Sequence, residues 1–234
     1  NDYTNSYPTL TIGGWNGGTG HLAINDGTIN LDGNFYQNNI SPSGGLTPTV
    51  ATAEQTGGTF NTLGGEFRIG NNGPATYLIS GGVLNVNADG LSTNSREAAN
   101  SNIILSHGPF DSSLTIQGGL VHTKQIGLES TPENGHVGAQ ATLNLDGGTL
   151  LLEANWTGAI NIKDDADINI SSGALIWAGG GTGKVEHVKQ NLAPFINLTG
   201  GLLEVPEGNY NPVLTNNNNV LMAEVYNVTN KPAP

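Results

Sequence analysis

The chain has 234 residues, with seven basic against nineteen acidic side chains, a net charge of −12 and no cysteine. Those figures exclude disulfides, thiolate metal sites and a cysteine nucleophile, and the scattered cations exclude the basic patch that nucleic acid or an anionic membrane surface requires. No apolar run approaches the roughly 20 residues of a bilayer span, which excludes membrane insertion by a helix.

Glycine is abundant, at 35 residues against a usual share of roughly 7%. Only 11% of residues are charged, so the surface reads as neutral, built from amides and hydroxyls. Residues 1–20 hold a partial strand, Leu10-Thr11-Ile12, and a glycine-rich turn around Trp15. This stretch is expected to cap the fold or form an incomplete first rung, because a stacked architecture must cover its first edge.

From residue 21 to 205 one phrase recurs: two alternating apolar residues, a glycine turn, then two more alternating apolar residues. With the second turn glycine as a ruler, copies fall at Gly27, Gly58, Gly82, Gly119, Gly148, Gly173 and Gly201. Six steps separate Gly27 from Gly201, a mean of 29 residues, which is the period of a stacked repeat. Five and three residues before the ruler stand pairs such as Leu22/Ile24, Tyr77/Ile79 and Leu143/Leu145. Two residues after it come Ile29, Phe60, Leu84, Val121, Leu150, Leu175 and Leu203. A period of two means strands with one buried face. The second copy, with Ala53 and Gln55, has the weakest register, and Trp177 falls on an interior column.

The column two residues before the ruler is wholly polar, from Asn25 and Thr56 to Thr199, as a solvated face requires. The column three after it begins Asn30, Asn61, Asn85, His122 and then turns to Leu151 and Ile176. The glycine pairs suit a corner that demands positive φ or leaves no room for a Cβ. A third strand completes several repeats: Phe35-Tyr36, residues 66–69, 125–128 and 159–162. Longer spacings reflect insertions at residues 38–52, 87–102 and 129–140. The tail, 206–234, loses the repeat; residues 220–226 read as a closing strand and Lys231-Pro232-Ala233-Pro234 as the start of a linker.

The fold expected is all-β: a right-handed parallel β-helix, or β-solenoid, of about seven coils, each with two to three short strands and inserted loops. Tyr77-Leu78-Ile79-Ser80-Gly81-Gly82-Val83-Leu84-Asn85-Val86 and Leu143-Asn144-Leu145-Asp146-Gly147-Gly148-Thr149-Leu150 resemble the "LTISGGTLNV" repeats of secreted bacterial β-helix proteins. Those repeats occur in autotransporter-like passengers and in large surface proteins of planctomycetes and related bacteria. The resemblance implies a right-handed parallel β-helix outside the cell, beside carbohydrate-binding or anchoring domains. It carries over no catalytic residue, because the shared positions are structural.

Several side chains invite chemistry. Trp15, Tyr36 and Trp156 are candidate carbohydrate-binding platforms, since an aromatic face covers the apolar face of a pyranose. Asp164, Asp165 and Asp167 are candidate Ca²⁺ ligands, weighed against a solvated turn between strands. Calcium is the one cofactor that these residues suggest. Arg68, His122 and Lys124 would supply the base and cations of a polysaccharide lyase, weighed against an ordinary polar face with no acid partner. Three functions follow in order of preference. The first is a non-catalytic extracellular or cell-surface scaffold or adhesive module whose partner is a second copy of itself, joined through open ends. The second is a carbohydrate-binding module for an extracellular polysaccharide. The enzyme alternative is a polysaccharide lyase or hydrolase.

Overall fold

A computed structural model describes residues 9–14, 18–39, 49–86, 102–108, 110–129, 140–153, 160–163, 166–177, 185–187 and 196–204. The described residues are all-β, with every strand pairing parallel in two sheets and with a strongly curled, half-barrel parallel sheet among them. After β1 (Thr9–Gly14), each repeat contributes strands in the same order. The first copy supplies β2 (His21–Ile24), β3 (Thr28–Asp32) and β4 (Asn34–Asn39). The second supplies β5 (Ala51–Gln55), β6 (Thr59–Gly64) and β7 (Phe67–Ile69), and the third β8 (Ala75–Ile79), β9 (Val83–Val86) and β10 (Asn102–Leu105). The fourth copy supplies β11 (Ser112–Ile116), β12 (Leu120–Thr123) and β13 (Gln125–Glu129).

In the fifth and sixth copies the first two strands fuse. β14 (Ala141–Leu152) and β16 (Ala166–Trp177) run unbroken past the glycine turn, followed by β15 (Ile160–Lys163) and β17 (Val185–His187). The seventh copy gives β18 (Ile196–Leu198) and β19 (Leu202–Glu204). The third strands form a seven-stranded sheet, β1-β4-β7-β10-β13-β15-β17. The strands before and after the turn form two ladders that β14 and β16 join into one twelve-stranded sheet. Reading the sequence for third strands missed β10 and β17. β10 overlaps the end of the insertion assigned to residues 87–102, because the insertion displaces it from its usual distance behind the glycine.

The interior follows from alternation. Leu114, Leu143 and Ile168 stack in register with Tyr77, and Val121 and Leu150 stack with Leu84, all with 0–1% exposure. The second copy proves as well registered as the rest: Ala53 pairs with Leu22 and Tyr77, and Gln55 with Ile24 and Ile79. Gln55 breaks the apolar column without breaking the fold because its amide is satisfied. Its Nε2 donates to the carbonyl of Val83 at 2.9 Å, and its Oε1 accepts from the Tyr77 hydroxyl at 3.3 Å. Burial pushes the Tyr77 phenol above its ordinary pKa. Around it, all three ladders supply aromatic rings. Phe35 stacks on Phe67 with centroids 4.3 Å apart, and Phe60 meets Phe35 edge-on at 5.4 Å, geometries that add about 0.5–1.5 kcal/mol per pair to simple burial.

All seven ruler glycines have φ between 61° and 80°. At the fourth corner, a Cβ on Gly118 would lie 2.4 Å from the Ser80 carbonyl oxygen, and one on Gly119 would lie 2.4 Å from that of Gly82. The Gly82 oxygen accepts the Leu120 N–H at 3.0 Å, so the corner leaves no room for a side chain where successive repeats bond. Partial strand Leu10–Ile12 belongs to β1, which pairs with β4 as the first member of the seven-stranded sheet. The tail expected at 206–234 lies outside the described residues.

Candidate functional site

On the seven-stranded sheet the inward residues Phe35 and Gln37 of β4 put Tyr36 on the outer face, and Phe67 and Ile69 of β7 do the same for Arg68. The parallel register sets Tyr36 directly beside Arg68. The guanidinium carbon lies 5.3 Å from the Tyr36 ring centroid, within cation–π range. Its Nη2 pairs with Glu66 at 2.5 Å and its Nη1 donates to Asn71 Oδ1 at 2.6 Å. Asn71 Nδ2 in turn donates to Asn39 Oδ1 at 2.8 Å. The Arg68 and Glu66 side chains are 17% and 23% exposed. The result is a pinned surface of ring, guanidinium, carboxylate and amides, chemically suited to the apolar face and hydroxyls of a sugar. Sequence reading found Tyr36 but not Glu66, Asn71 or Asn39. Glu66 and Arg68 two apart on one strand face is the signal that was available.

The other aromatic candidates, Trp15 and Trp156, lie outside the described residues, and Trp177 is described only through its backbone, in register with Leu152. Asp164 and Asp165 also fall outside. Asp167 lies on β16, where its Oδ2 accepts from Gln140 Nε2 at 2.5 Å; the Gln140 N–H donates to Asp111 Oδ1 at 2.8 Å. Among the described residues no group of three His, Asp or Glu is placed to hold a metal ion.

The lyase-like trio is not assembled. Arg68 lies on the seven-stranded sheet and is engaged as above, His122 lies on β12 of the twelve-stranded sheet, and Lys124 occupies the bend between β12 and β13. The expectation that His122 lacks an acid partner is also corrected: its Nε2 stands 3.0 Å from Glu153 Oε1. Glu153 comes from the next repeat, at the end of β14, and its N–H donates to the Thr123 carbonyl at 2.9 Å. Stacking of repeats brings it there, so spacing along one repeat gave no sign of it.

Along the same outer column as His122, the amides bond to one another. Asn85 Nδ2 donates to Asn61 Oδ1, and Asn61 Nδ2 to Asn30 Oδ1, both at 2.8 Å. A second row joins Asn169 to Asn144 at 2.9 Å. Thr56 donates to Asn25, and Ser171 to Asp146, at 2.8 and 2.7 Å. Polar groups on these faces therefore satisfy one another from repeat to repeat. Comparison of the chain with family models, with curated proteins and with solved structures finds no match.

Proposed function

We propose that the chain is a right-handed parallel β-helix acting as a non-catalytic, extracellular scaffold module. The observation that carries this reading is the direction of its outer hydrogen bonds. Amide and hydroxyl groups run along the stack, Asn30 to Asn61 to Asn85 and Asn144 to Asn169, instead of converging on a point where substrate would react. A face of mutually satisfied neutral groups is inert toward solutes and stiffens the rod, since each repeat is tied to the next on both its inner and its outer side. Seven repeats at about 4.8 Å make a column roughly 30 Å long. The resemblance to secreted bacterial β-helix repeats supports an extracellular or cell-surface setting.

The test is incubation of the purified protein with neutral and uronate-rich polysaccharides, followed by assay of reducing and unsaturated ends. No product is expected, and products that disappear in His122→Ala would make the chain an enzyme. A second reading, carbohydrate binding, is favoured by the pinned Tyr36–Arg68 surface. Affinity electrophoresis distinguishes it: a polysaccharide that retards the protein, and retards Tyr36→Ala less, identifies a binding module.

A further inference from the structure

The first described repeat is finished on one side only. Among the described residues β1 pairs only with β4, β2 only with β5, and β3 only with β6. The core-facing Leu22, Ile29 and Leu31 are partly buried, whereas Ala53, Phe60 and Thr62, stacked on them, are 0–2% exposed. Gly27 has nothing within 4 Å of where its Cβ would stand, while Gly58, the next corner glycine, sits against the Gly27 carbonyl. The backbone agrees. The carbonyls of Gly20 and Ile24 accept from Thr52 and Thr56 of the second repeat. In a parallel ladder alternate residues bond to opposite neighbours, so His21 and Ala23 direct their N–H and C=O away from β5.

We propose that this edge seats the seventh repeat of a second copy of this chain, head to tail and in parallel register. The inference rests on the scaffold reading and extends it to a partner. A parallel edge with a tight corner is matched along both strands by a pair carrying the same corner, and β18 and β19 carry it at Gly200–Gly201, where φ of Gly201 is 74°. Among the described residues β18 and β19 pair on one side only, with β16. The Thr199 N–H bonds to Ile170, so by alternation Ile196 and Leu198 direct their backbone groups to the other side. Continuing the observed register sets Leu22 beside Ile196 and Gly27 beside Gly201, with the Ala23 N–H donating to the Ile196 carbonyl. Such a contact is heterologous and does not close, so it propagates.

Two experiments test it in the full chain. Ala23→Pro removes one outward donor from an exposed position without touching the β2–β5 bonds. Sedimentation velocity is expected to show wild-type species growing in whole-chain steps with concentration, and Ala23→Pro staying monomeric with an unchanged circular dichroism spectrum. Polarity is read by disulfide trapping, free of background because the chain has no cysteine. Ala23 and Asn197 hold equivalent positions, and stacked neighbours about 4.8 Å apart lie within disulfide reach. Mixing Ala23→Cys with Asn197→Cys is expected to give the mixed dimer faster than Ala23→Cys gives its own. The proposal is overturned by a wild type that stays monomeric, as when earlier residues of the chain cover the first edge, the expected closing strand at 220–226 covers the last, or another partner takes either one. It is equally overturned by association that survives Ala23→Pro, or by preferred Ala23→Cys self-pairing. A monomer that leaves every polysaccharide intact sinks this contact and spares the scaffold reading; released sugar products sink the scaffold reading whatever the association state.

Discussion

Three glycine-to-alanine substitutions separate the two demands that the corners make. Gly27 has φ 80° but open space at its Cβ position; Gly118 would meet the Ser80 oxygen at 2.4 Å without a left-handed φ; Gly119 has φ 73° and would meet the Gly82 oxygen at 2.4 Å. A left-handed alanine costs about 1–2 kcal/mol, offset by about 0.4–1 kcal/mol from the stiffer unfolded chain, so Gly27→Ala should lose about 0–1.6 kcal/mol. A Cβ at 2.4 Å from a carbonyl forces successive repeats apart. At Gly119 that contact falls on the oxygen that accepts the Leu120 N–H, and a buried bond lost this way costs about 1–3 kcal/mol. Gly118→Ala should therefore lose about 1–3 kcal/mol, and Gly119→Ala, which meets both demands, about 2–4 kcal/mol. Urea unfolding of the monomer, at concentrations too low for copies to associate, followed by circular dichroism gives the three values from the shift in midpoint at constant slope. Equal losses at Gly27 and Gly119 would refute the reasoning, because they would leave contact between repeats with no role in the choice of glycine.

Leu143→Ala, at a fully buried position, should cost about 3–5 kcal/mol by the same assay, through lost transfer energy and a cavity that neighbouring repeats cannot collapse. Because burial raises the Tyr77 pKa from its ordinary 10.0, its contribution is fully present below pH 10 and is lost as pH rises toward the folded value. Tyr77→Phe should accordingly flatten the alkaline fall of stability by up to about 1.4 kcal/mol per pH unit, read from urea midpoints at alkaline pH; an unchanged slope would contradict the burial. Asn61→Ala removes the middle amide of the Asn30–Asn61–Asn85 row and should cost about 1 kcal/mol, whereas Asn61→Gln should restore little, because the longer side chain cannot repeat the spacing of the row. Hydrogen exchange at the flanking strands provides the local readout.

Much of the architecture was legible because the repeat states it three times over: apolar residues at a period of two, a polar column between them, and a glycine where the chain turns. Even Ala53 and Gln55, the weakest copy by composition, hold the common register, since neighbours on both sides impose it. The surface was much less legible. His122 was visible as an outward residue, but its partner Glu153 belongs to the following repeat. Tyr36 was visible as an aromatic, but Arg68 reaches it from 32 positions away.

Sequence by itself determined what repeats and which side of each strand is apolar, because alternation and glycine are local properties of the chain. Only the tertiary structure decided which third strands align. Phe35 stands eight residues after Gly27, whereas Ile103 stands 21 after Gly82, yet both occupy one column with Phe67 between them. Closing a longer loop costs only about 0.6 kcal/mol per doubling of its length, so insertions slip the phase at little cost in stability. What returns each strand to its place is the line of buried side chains and backbone bonds in the repeat beneath it.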